Sequence, residues 1–505
     1  MTAPTLDQHV LILGLGHSGL AMARWCTRCG AKVTVADTRS EPPQLAALRQ
    51  ELPTLDFVAG SFNAALAQTR PWQVIYKSPG LAPADIAGVT EAAQLLGIPV
   101  RGELSLFVQA LAELEATRTY RPKLLAVTGT NGKTTVTTLT AQLVARAGKT
   151  VAMAGNIGPT LLDTLTAQLA GDALPEVWVL ELSSFQLDGE AGFEPTAAAL
   201  LNLTQDHLDW HGSMQHYVRA KTRIFGENAL LVLNRDDAAV MATLPEPMRV
   251  KLKRPVLRSH ITFGAELPQR PGDFGLEEVD GMLWLVRALE TDEAARRRGS
   301  EPELHVQRLM PADALKIRGR HNALNALAAL ALSQSAGCAL GPTLYALRDY
   351  CGQAHRLESV AVIDQVEYFD DSKGTNVGAT VAALCGLGLE RRVVVILGGE
   401  GKGQDFSPLL APVARYARGV VLIGRAAPQL AEVLAPCAVA LARSESMAQA
   451  VAQARAMAQP GDAVLLSPAC ASFDMFDNYE HRGRVFAARV GEAAAVASLT
   501  VESVK

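Results

Sequence analysis

The chain has 505 residues, a length that suggests about three domains. Hydrophobic residues make up 49% and aromatics 5%, enough apolar mass for helices packed on sheets; 51 acidic against 47 basic residues give a formal charge of −4 and no basic footprint for nucleic acid. Seven scattered cysteines suggest reduced thiols in a cytoplasm, no apolar run is long enough to span a bilayer, and Met1–His9 lacks the basic start and apolar core of a signal peptide.

In the first segment, residues 1–100, His9-Val-Leu-Ile-Leu13 predicts a buried strand. Gly14-Leu-Gly-His-Ser-Gly19 then opens a helix, and Lys32-Val-Thr-Val-Ala36 predicts a second strand ending at Asp37-Thr-Arg39. A G-x-G-x-x-G turn with an acid at the next strand end suggests a dinucleotide site, and the same turn suits any pyrophosphate or uridine-bearing ligand, so the motif alone does not select NAD. Cys26-Thr-Arg-Cys29 has redox or half-zinc spacing, but it falls late in the predicted helix without a second pair, which favours packing. Trp72-Gln-Val-Ile-Tyr76 predicts a further strand, and its exit, Lys77-Ser-Pro-Gly80, lies at the carboxyl edge where open α/β sheets bind ligands. The segment predicts a small doubly wound domain.

The second segment, residues 101–352, holds the most informative stretch. An apolar run, Leu124 to Val127, breaks into Thr128-Gly-Thr-Asn-Gly-Lys-Thr134 and continues as a helix-compatible segment, Thr137 to Ala147. Glycines let several backbone N–H groups converge on one anion, and the helix N-terminus adds partial positive charge. Lys133 would reach the terminal phosphates of a nucleoside triphosphate, and the Thr134 hydroxyl would ligate Mg²⁺. The strict phosphate-loop pattern wants glycine where Val127 stands, so this is a shortened variant. Ala154-Gly-Asn-Ile-Gly158 predicts a turn, and Val177 to Leu182 a buried strand carrying Glu181 and, at its exit, Ser183-Ser-Phe-Gln186. A glutamate inside an apolar strand is costly unless paired with a cation, so Mg²⁺ ligation is favoured over a solvent-facing edge acid.

A strand from Ala197 to Leu203 runs into Thr204-Gln-Asp-His-Leu-Asp-Trp-His211. His207 and His211 have the spacing of a zinc pair on one helix face, but Leu208 replaces the glutamate of H-E-x-x-H, which argues against catalytic zinc. Lys221, among apolar residues at helical spacing, reads from composition as a snorkelling surface side chain. Residues 265–305, with Ala295-Arg-Arg-Arg298, predict a solvated insertion or long hairpin. Arg318-Gly-Arg-His-Asn322 leads an Ala-rich helix, and Asn322 is either a base or ribose contact or a helix N-cap.

The third segment, residues 353–505, alternates strands with Ala-rich helices in the rhythm of βαβ units. Its strand exits are polar or glycine-rich: Asp371-Ser-Lys373 before Gly374-Thr-Asn376, Gly398-Gly-Glu-Gly-Lys402, Gly424-Arg425 and Ser467-Pro-Ala-Cys-Ala-Ser472. Together they predict a second ligand-binding edge.

These blocks, with Gly155-Asn-Ile-Gly158, Asp206-His-Leu-Asp209, Gly319-Arg-His-Asn322 and His355-Arg-Leu-Glu358, resemble the Mur ligases, ATP-dependent amide-forming enzymes of peptidoglycan synthesis. The Glu181 and Ser467 blocks are most similar to the branch that adds D-glutamate to UDP-N-acetylmuramoyl-L-alanine. The resemblance spans almost the whole chain. It implies an α/β protein of three domains: a Rossmann-like N-terminal domain, a central P-loop ATPase-type mononucleotide-binding domain and a Rossmann-like C-terminal domain.

By match, Gly16, His17, Ser18, Asp37, Thr38, Arg39, Ser78, Gly80, Asn156 and Ser183 would border the UDP-substrate. Gly129, Thr130, Asn131, Gly132, Lys133, Thr134 and Thr135 would hold ATP, joined by Asn322, Arg356 and Asp371. Thr134, Glu181, His207 and Lys221 would serve two Mg²⁺ ions, Lys221 as a carbamate formed with CO₂; only the resemblance overturns the surface reading of that lysine. Lys133, Glu181, His207 and Lys221 form the implied catalytic group, and Lys373, Thr375, Ser472, Phe473 and Tyr479 would surround D-glutamate. A cytoplasmic monomer is expected. Glu400 and Tyr479 depart from the aspartate and phenylalanine usual there, and 265–305 is longer than usual. A sibling amide ligase or a non-catalytic nucleotide-binding regulator is the alternative, although a mere binder has no need of a second metal position; an NAD dehydrogenase leaves Lys133 unexplained.

Overall fold

The computed structural model describes residues 8–246, 257–291 and 303–502. Contacts divide the chain into two compact units: Met1–Gly275 with Arg287–Gln307 and Leu327–Ala346, and Leu276–Val286 with Arg308–Ala326 and Leu347–Lys505.

The first unit opens with five parallel strands in the order Asp56–Ala59, Lys32–Asp37, His9–Leu13, Val74–Lys77, Val100–Arg101. The central strand is covered on both faces, which is why its sequence is unbroken apolar residues rather than an alternation. Crossing to the neighbouring strand requires a covering helix, and His17–Arg28 supplies it, burying Leu20, Met22, Trp25 and Cys26. Cys26 is therefore a core residue, and both cysteines of the pair are free thiols, as the packing reading expected.

A second sheet of nine strands contains the phosphate loop. Its parallel part runs Val151–Gly155, Val177–Glu181, Lys123–Thr128, Ala197–Leu200, Leu230–Asn234, His260–Phe263. Phe274–Val279, Met282–Glu290 and Leu304–Pro311 complete it. The insertion read at 265–305 thus contributes sheet strands, the first two joined at Asp280-Gly281; its Arg296–Arg298 run lies outside the described residues. One continuous core joins Val10, Ile12 and Val35 of the first sheet to Trp178 and Leu200 of the second and includes Phe107 of the helix Glu103–Arg118.

The second unit is built on six strands ordered Glu358–Ile363, Val366–Asp370, Ala463–Leu466, Val393–Gly398, Ala417–Ile423, Ala440–Arg443. The first pair is antiparallel and the rest are parallel. Along Val393–Gly398 the side chains alternate faces. Val393, Val395 and Leu397 pack with Leu384 and Leu430, while Val394 and Ile396 pack with Val451 and Phe486. The α/β class and the three sheets agree with expectation.

Candidate active site

The strand Lys123–Thr128 ends in a loop whose glycines, Gly129 and Gly132, have φ of 152° and 83°, and Lys133 begins the helix Lys133–Arg146. The loop is clasped from the neighbouring strand exit. Asn202 accepts the Asn131 N–H at 2.7 Å and donates to the Asn131 carbonyl at 3.1 Å, and Thr130 N–H reaches the Asn202 carbonyl at 2.9 Å. The Thr130 hydroxyl pairs with the Tyr217 hydroxyl at 3.0 Å. Asn202 and Tyr217 were not singled out from sequence, because each meets its partner across more than seventy residues of chain.

Two lysine amines meet at one carbonyl of this loop. Lys133 Nζ donates to the Gly129 and Thr130 carbonyls at 2.9 and 2.8 Å, and Lys221 Nζ to the Gly129 carbonyl at 2.8 Å. Lys221 is 1% exposed, so the surface reading from composition is wrong: its helix, Met214–Thr222, turns it beneath the loop. Burial pushes its amine well below the ordinary lysine value, Lys133 lowers it further, and Asp206 and Glu181 pull it back.

Glu181 stands on an inner strand at 1% exposure and is no edge acid. Its Oε1 accepts from Asn156 Nδ2 at 2.7 Å, whereas Oε2 is buried without a hydrogen-bond partner among the described residues. A carboxylate oxygen left in this condition fits a hard divalent cation, which takes oxygen ligands. The Asn156 turn is close-packed: Gly155 has a φ of 111°, and a Cβ there would fall inside contact distance of the Glu181 carbonyl oxygen.

His207 has a left-handed backbone and caps the short helix Leu208–His211, so His207 and His211 do not share a helix face. The His207 ring is held below its ordinary value by lost hydration first, then by Lys133 and Lys221, against the pull of Asp206. His211 Nε2 lies 2.9 Å from the Ser184 hydroxyl, and burial pushes its ring down to about 4, a core role rather than a zinc pair. Ser183 caps the helix Ser184–Leu187 in a reciprocal box with Gln186.

Within the N-terminal sheet, the Ser78 hydroxyl donates to the Gly14 carbonyl at 2.8 Å, and Asp37 accepts the Leu15 N–H at 2.7 Å. Arg39 Nε and Nη2 reach Asp37 at 2.8 and 2.9 Å. Burial would raise the Asp37 carboxyl, but these bonds outweigh it and hold it at about 2. Ser78 and Asp37 thus lock the glycine turn. Thr38, Arg39 and His17 are exposed beside it, and Gly16 and Gly80 are open at Cα.

In the second unit, Asn322 lies inside the helix Arg320–Ser335, donating to the Arg318 carbonyl at 2.8 Å and accepting from Asn325, so it is not the N-cap. Asp371 accepts from the Ser467 hydroxyl at 2.7 Å; burial pushes its carboxyl up to about 7, against that bond and the Arg356 charge. Lys373 Nζ sits 3.5 Å from the Tyr479 ring centroid, and Thr375 N–H bonds the Lys373 carbonyl. Ser472 is buried and Phe473 exposed, the latter 5.6 Å from Lys402 Nζ. Sequence reading missed the group that sets these loops. Arg482, fully buried, donates to the Ser372 hydroxyl and carbonyl at 2.9 and 2.8 Å and to the Cys470 carbonyl at 3.1 Å.

A phosphate-cradling loop with two adjacent lysines and a cation-ready carboxylate, on an α/β scaffold, defines a phosphoryl-handling enzyme. Family models match three parts of the chain: the Mur ligase MurD-like N-terminal domain at residues 8–102, the Mur ligase middle domain at 127–333, and the Mur ligase glutamate ligase domain at 355–470. A UDP-N-acetylmuramoylalanine–D-glutamate ligase of Albidiferax ferrireducens is 69% identical over 98% of both chains. One of Burkholderia pseudomallei is 54% identical over 96% of this chain and 97% of its own. The MurF ligase of Thermotoga maritima, solved in complex with ADP, shares the fold at a TM-score of 0.56 and 16% identity, covering 97% of this chain and 96% of its own. The chain belongs to the Mur ligase family.

Proposed function

We propose that the chain joins D-glutamate to UDP-N-acetylmuramoyl-L-alanine at the expense of ATP, passing through an acyl phosphate and releasing ADP and phosphate. The observation that carries the chemistry is the meeting of Lys133 and Lys221 at Gly129 in a loop shaped for phosphate, with the unpartnered oxygen of Glu181 at the carboxyl end of the neighbouring strand. The names of relatives at 54–69% identity over nearly the full chain support the substrates.

A carboxylate is a poor acyl donor because oxide would have to leave. Transfer of a phosphoryl group from ATP to the alanyl carboxylate supplies a leaving group that departs as phosphate. The D-glutamate amine then attacks the acyl carbon and loses a proton, and the tetrahedral adduct collapses to the amide. Here Lys133 and the loop N–H groups hold the triphosphate and spread its charge, a positioning and electrostatic task. Glu181 and Thr134 would hold Mg²⁺, with His207 and Lys221 serving a second ion; bound there, magnesium neutralises the charge on the transferring oxygens. Lys221 deprotonates easily where it is buried, and a neutral amine is the form that adds CO₂ to give a carbamate.

The Gly14–Gly19 turn would take the diphosphate, with Asp37, Thr38, Arg39 and Ser78 around the uridine end and Asn156 and Ser183 toward the acyl end. Asn322, Arg356 and Asp371 would add ATP contacts, and Lys373, Thr375, Ser472, Phe473 and Tyr479 would take the amino acid. Domain limits near residues 100 and 352, a monomer and a cytoplasmic location belong to this reading; no helix among the described residues is long and apolar enough to cross a membrane.

The test supplies purified chain with UDP-N-acetylmuramoyl-L-alanine, ATP, Mg²⁺ and labelled D-glutamate. Label is expected in the nucleotide product, one phosphate released per label. Incorporation of L-alanine, meso-diaminopimelate or folate-linked L-glutamate instead would reassign the substrate.

A further inference from the structure

In the second unit, one buried carboxylate joins two loops assigned to different substrates. Asp370 ends the strand Val366–Asp370, beside Leu466 of the next strand, and is 1% exposed. A carboxylate so placed is costly unless its oxygens are satisfied, and both are. Oδ1 accepts the Ser372 N–H at 2.9 Å, and Oδ2 accepts from His355 Nδ1 at 2.7 Å. One oxygen thus holds the strand exit Asp371-Ser372-Lys373, and the other holds the loop that precedes the strand Glu358–Ile363.

The main chain of His355 closes the connection. Its carbonyl accepts the Lys373 N–H at 3.1 Å, and its own N–H reaches the Glu358 carboxylate at 2.9 Å. These bonds hold His355 at a φ of 63°, a left-handed conformation that a non-glycine residue adopts at a cost. Arg356, the next residue, is assigned to ATP, and Lys373 to the amino acid. The His355 ring also meets the Tyr479 ring edge-on, centroids 6.2 Å apart, and Lys373 Nζ lies 3.5 Å from the centroid of that same tyrosine.

The helix Tyr479–Glu502 leaves room for the pair at one residue. A Cβ on Gly483 would fall inside contact distance of both His355 Nδ1 and Asp370 Oδ2. Glycine weakens a helix, so the helix itself gains nothing from it. Its smallness serves the two side chains packed against it.

We propose that Asp370 is a positioning residue for the ligation, holding Arg356 and Lys373 through His355 so that the ATP contact and the amino-acid contact are set together. Gly483 is the residue that admits the pair. The inference rests on the assignments of Arg356 and Lys373 made under Proposed function.

The test is steady-state kinetics on the full chain, varying each substrate in turn, with Asp370→Ala, Asp370→Asn and Gly483→Ala, alongside thermal melts. Asp370→Ala is expected to raise KM for ATP and for D-glutamate about tenfold each, with KM for the sugar nucleotide within about twofold. Asp370→Asn recovers most of that loss, because its oxygen accepts the Ser372 N–H and its amide donates to the other tautomer of His355. Gly483→Ala keeps both partners and wedges them apart, so it is expected to raise the same two KM values at least about threefold although alanine is the better helix former. A rise confined to one of the two substrates, a rise shared by the sugar nucleotide, or a kinetically silent Gly483→Ala would overturn the proposal. So would a lower melting temperature with every KM unchanged, which is the behaviour of a plain structural brace. If Asp370→Ala fails to fold, Gly483→Ala decides by the same pattern; failure of both to fold makes the pair a requirement of the fold and refutes the positioning role. A wild-type chain that does not join D-glutamate to UDP-N-acetylmuramoyl-L-alanine removes the functional reading and this inference with it; an active wild type whose variants leave KM unmoved removes the inference alone.

Discussion

Asn202→Ala tests whether the phosphate loop is shaped before ATP arrives. The side chain makes two reciprocal hydrogen bonds to Asn131, at 2.7 and 3.1 Å, and is not itself assigned to any substrate. A typical intramolecular hydrogen bond contributes about 0.5–1.5 kcal/mol net, so their loss removes about 1–3 kcal/mol from the ordered loop. Part of that falls on binding, because a loosened loop must be ordered by the ligand itself. A share of about 1.4 kcal/mol corresponds to tenfold weaker ATP binding. Isothermal titration with a non-hydrolysable ATP analogue measures this directly, with KM for the sugar nucleotide as the control. Analogue affinity within twofold of wild type, accompanied by a lower melting temperature, would make Asn202 a brace of the fold and refute the argument.

Lys221→Ala is expected to bind ATP normally and lose turnover by on the order of 10²–10³-fold, and short carboxylic acids should restore part of it by supplying the absent carboxylate; no recovery in an acetate or propionate series refutes carbamylation. Gly155→Ala places a Cβ against the Glu181 carbonyl at a φ of 111°, and should cost about 3 kcal/mol in urea unfolding; an unchanged midpoint would contradict the packing described. Asp37 is held at about 2, below the ordinary aspartate value, so its contribution to stability is complete above about pH 4 and fades as pH falls toward 2. The melting-temperature gap between wild type and Asp37→Asn should therefore be widest near neutrality and shrink below pH 4; a gap independent of pH would show that the Arg39 and Leu15 bonds matter only sterically.

The phosphate loop was legible because its function is written in local chemistry: glycines, a lysine and a threonine between a strand and a helix. Glu181 was legible for a related reason, since a charge amid Val177-Trp-Val-Leu180 conflicts with its surroundings unless something pairs with it. Lys221 was opaque to composition. Helical spacing places a lysine on a face, and whether that face meets water or the underside of a loop ninety residues earlier is decided by tertiary structure; only resemblance pointed inward. Weak edge strands were missed for an opposite reason. Asp56–Ala59 and Ala440–Arg443 are largely exposed, so the apolar pattern that marks a buried strand never appears in them. Asn322 shows a limit of local rules, since a polar residue before an apolar helical run suggests a cap, but the helix starts two residues earlier.

Arg482 carries a consequence for how the protein is made. Its guanidinium joins Ser372 to Cys470, and so ties together the strand exits that lead to Lys373 and to Ser472. It lies on the helix Tyr479–Glu502, which leaves the ribosome after every other element described. A nascent chain halted before that helix would already contain the whole phosphate cradle, yet the two loops assigned to the incoming amino acid would have nothing to hold them in register. Competence for nucleotide would thus come early in synthesis, and competence for amide formation only once the first turn of that helix has been made.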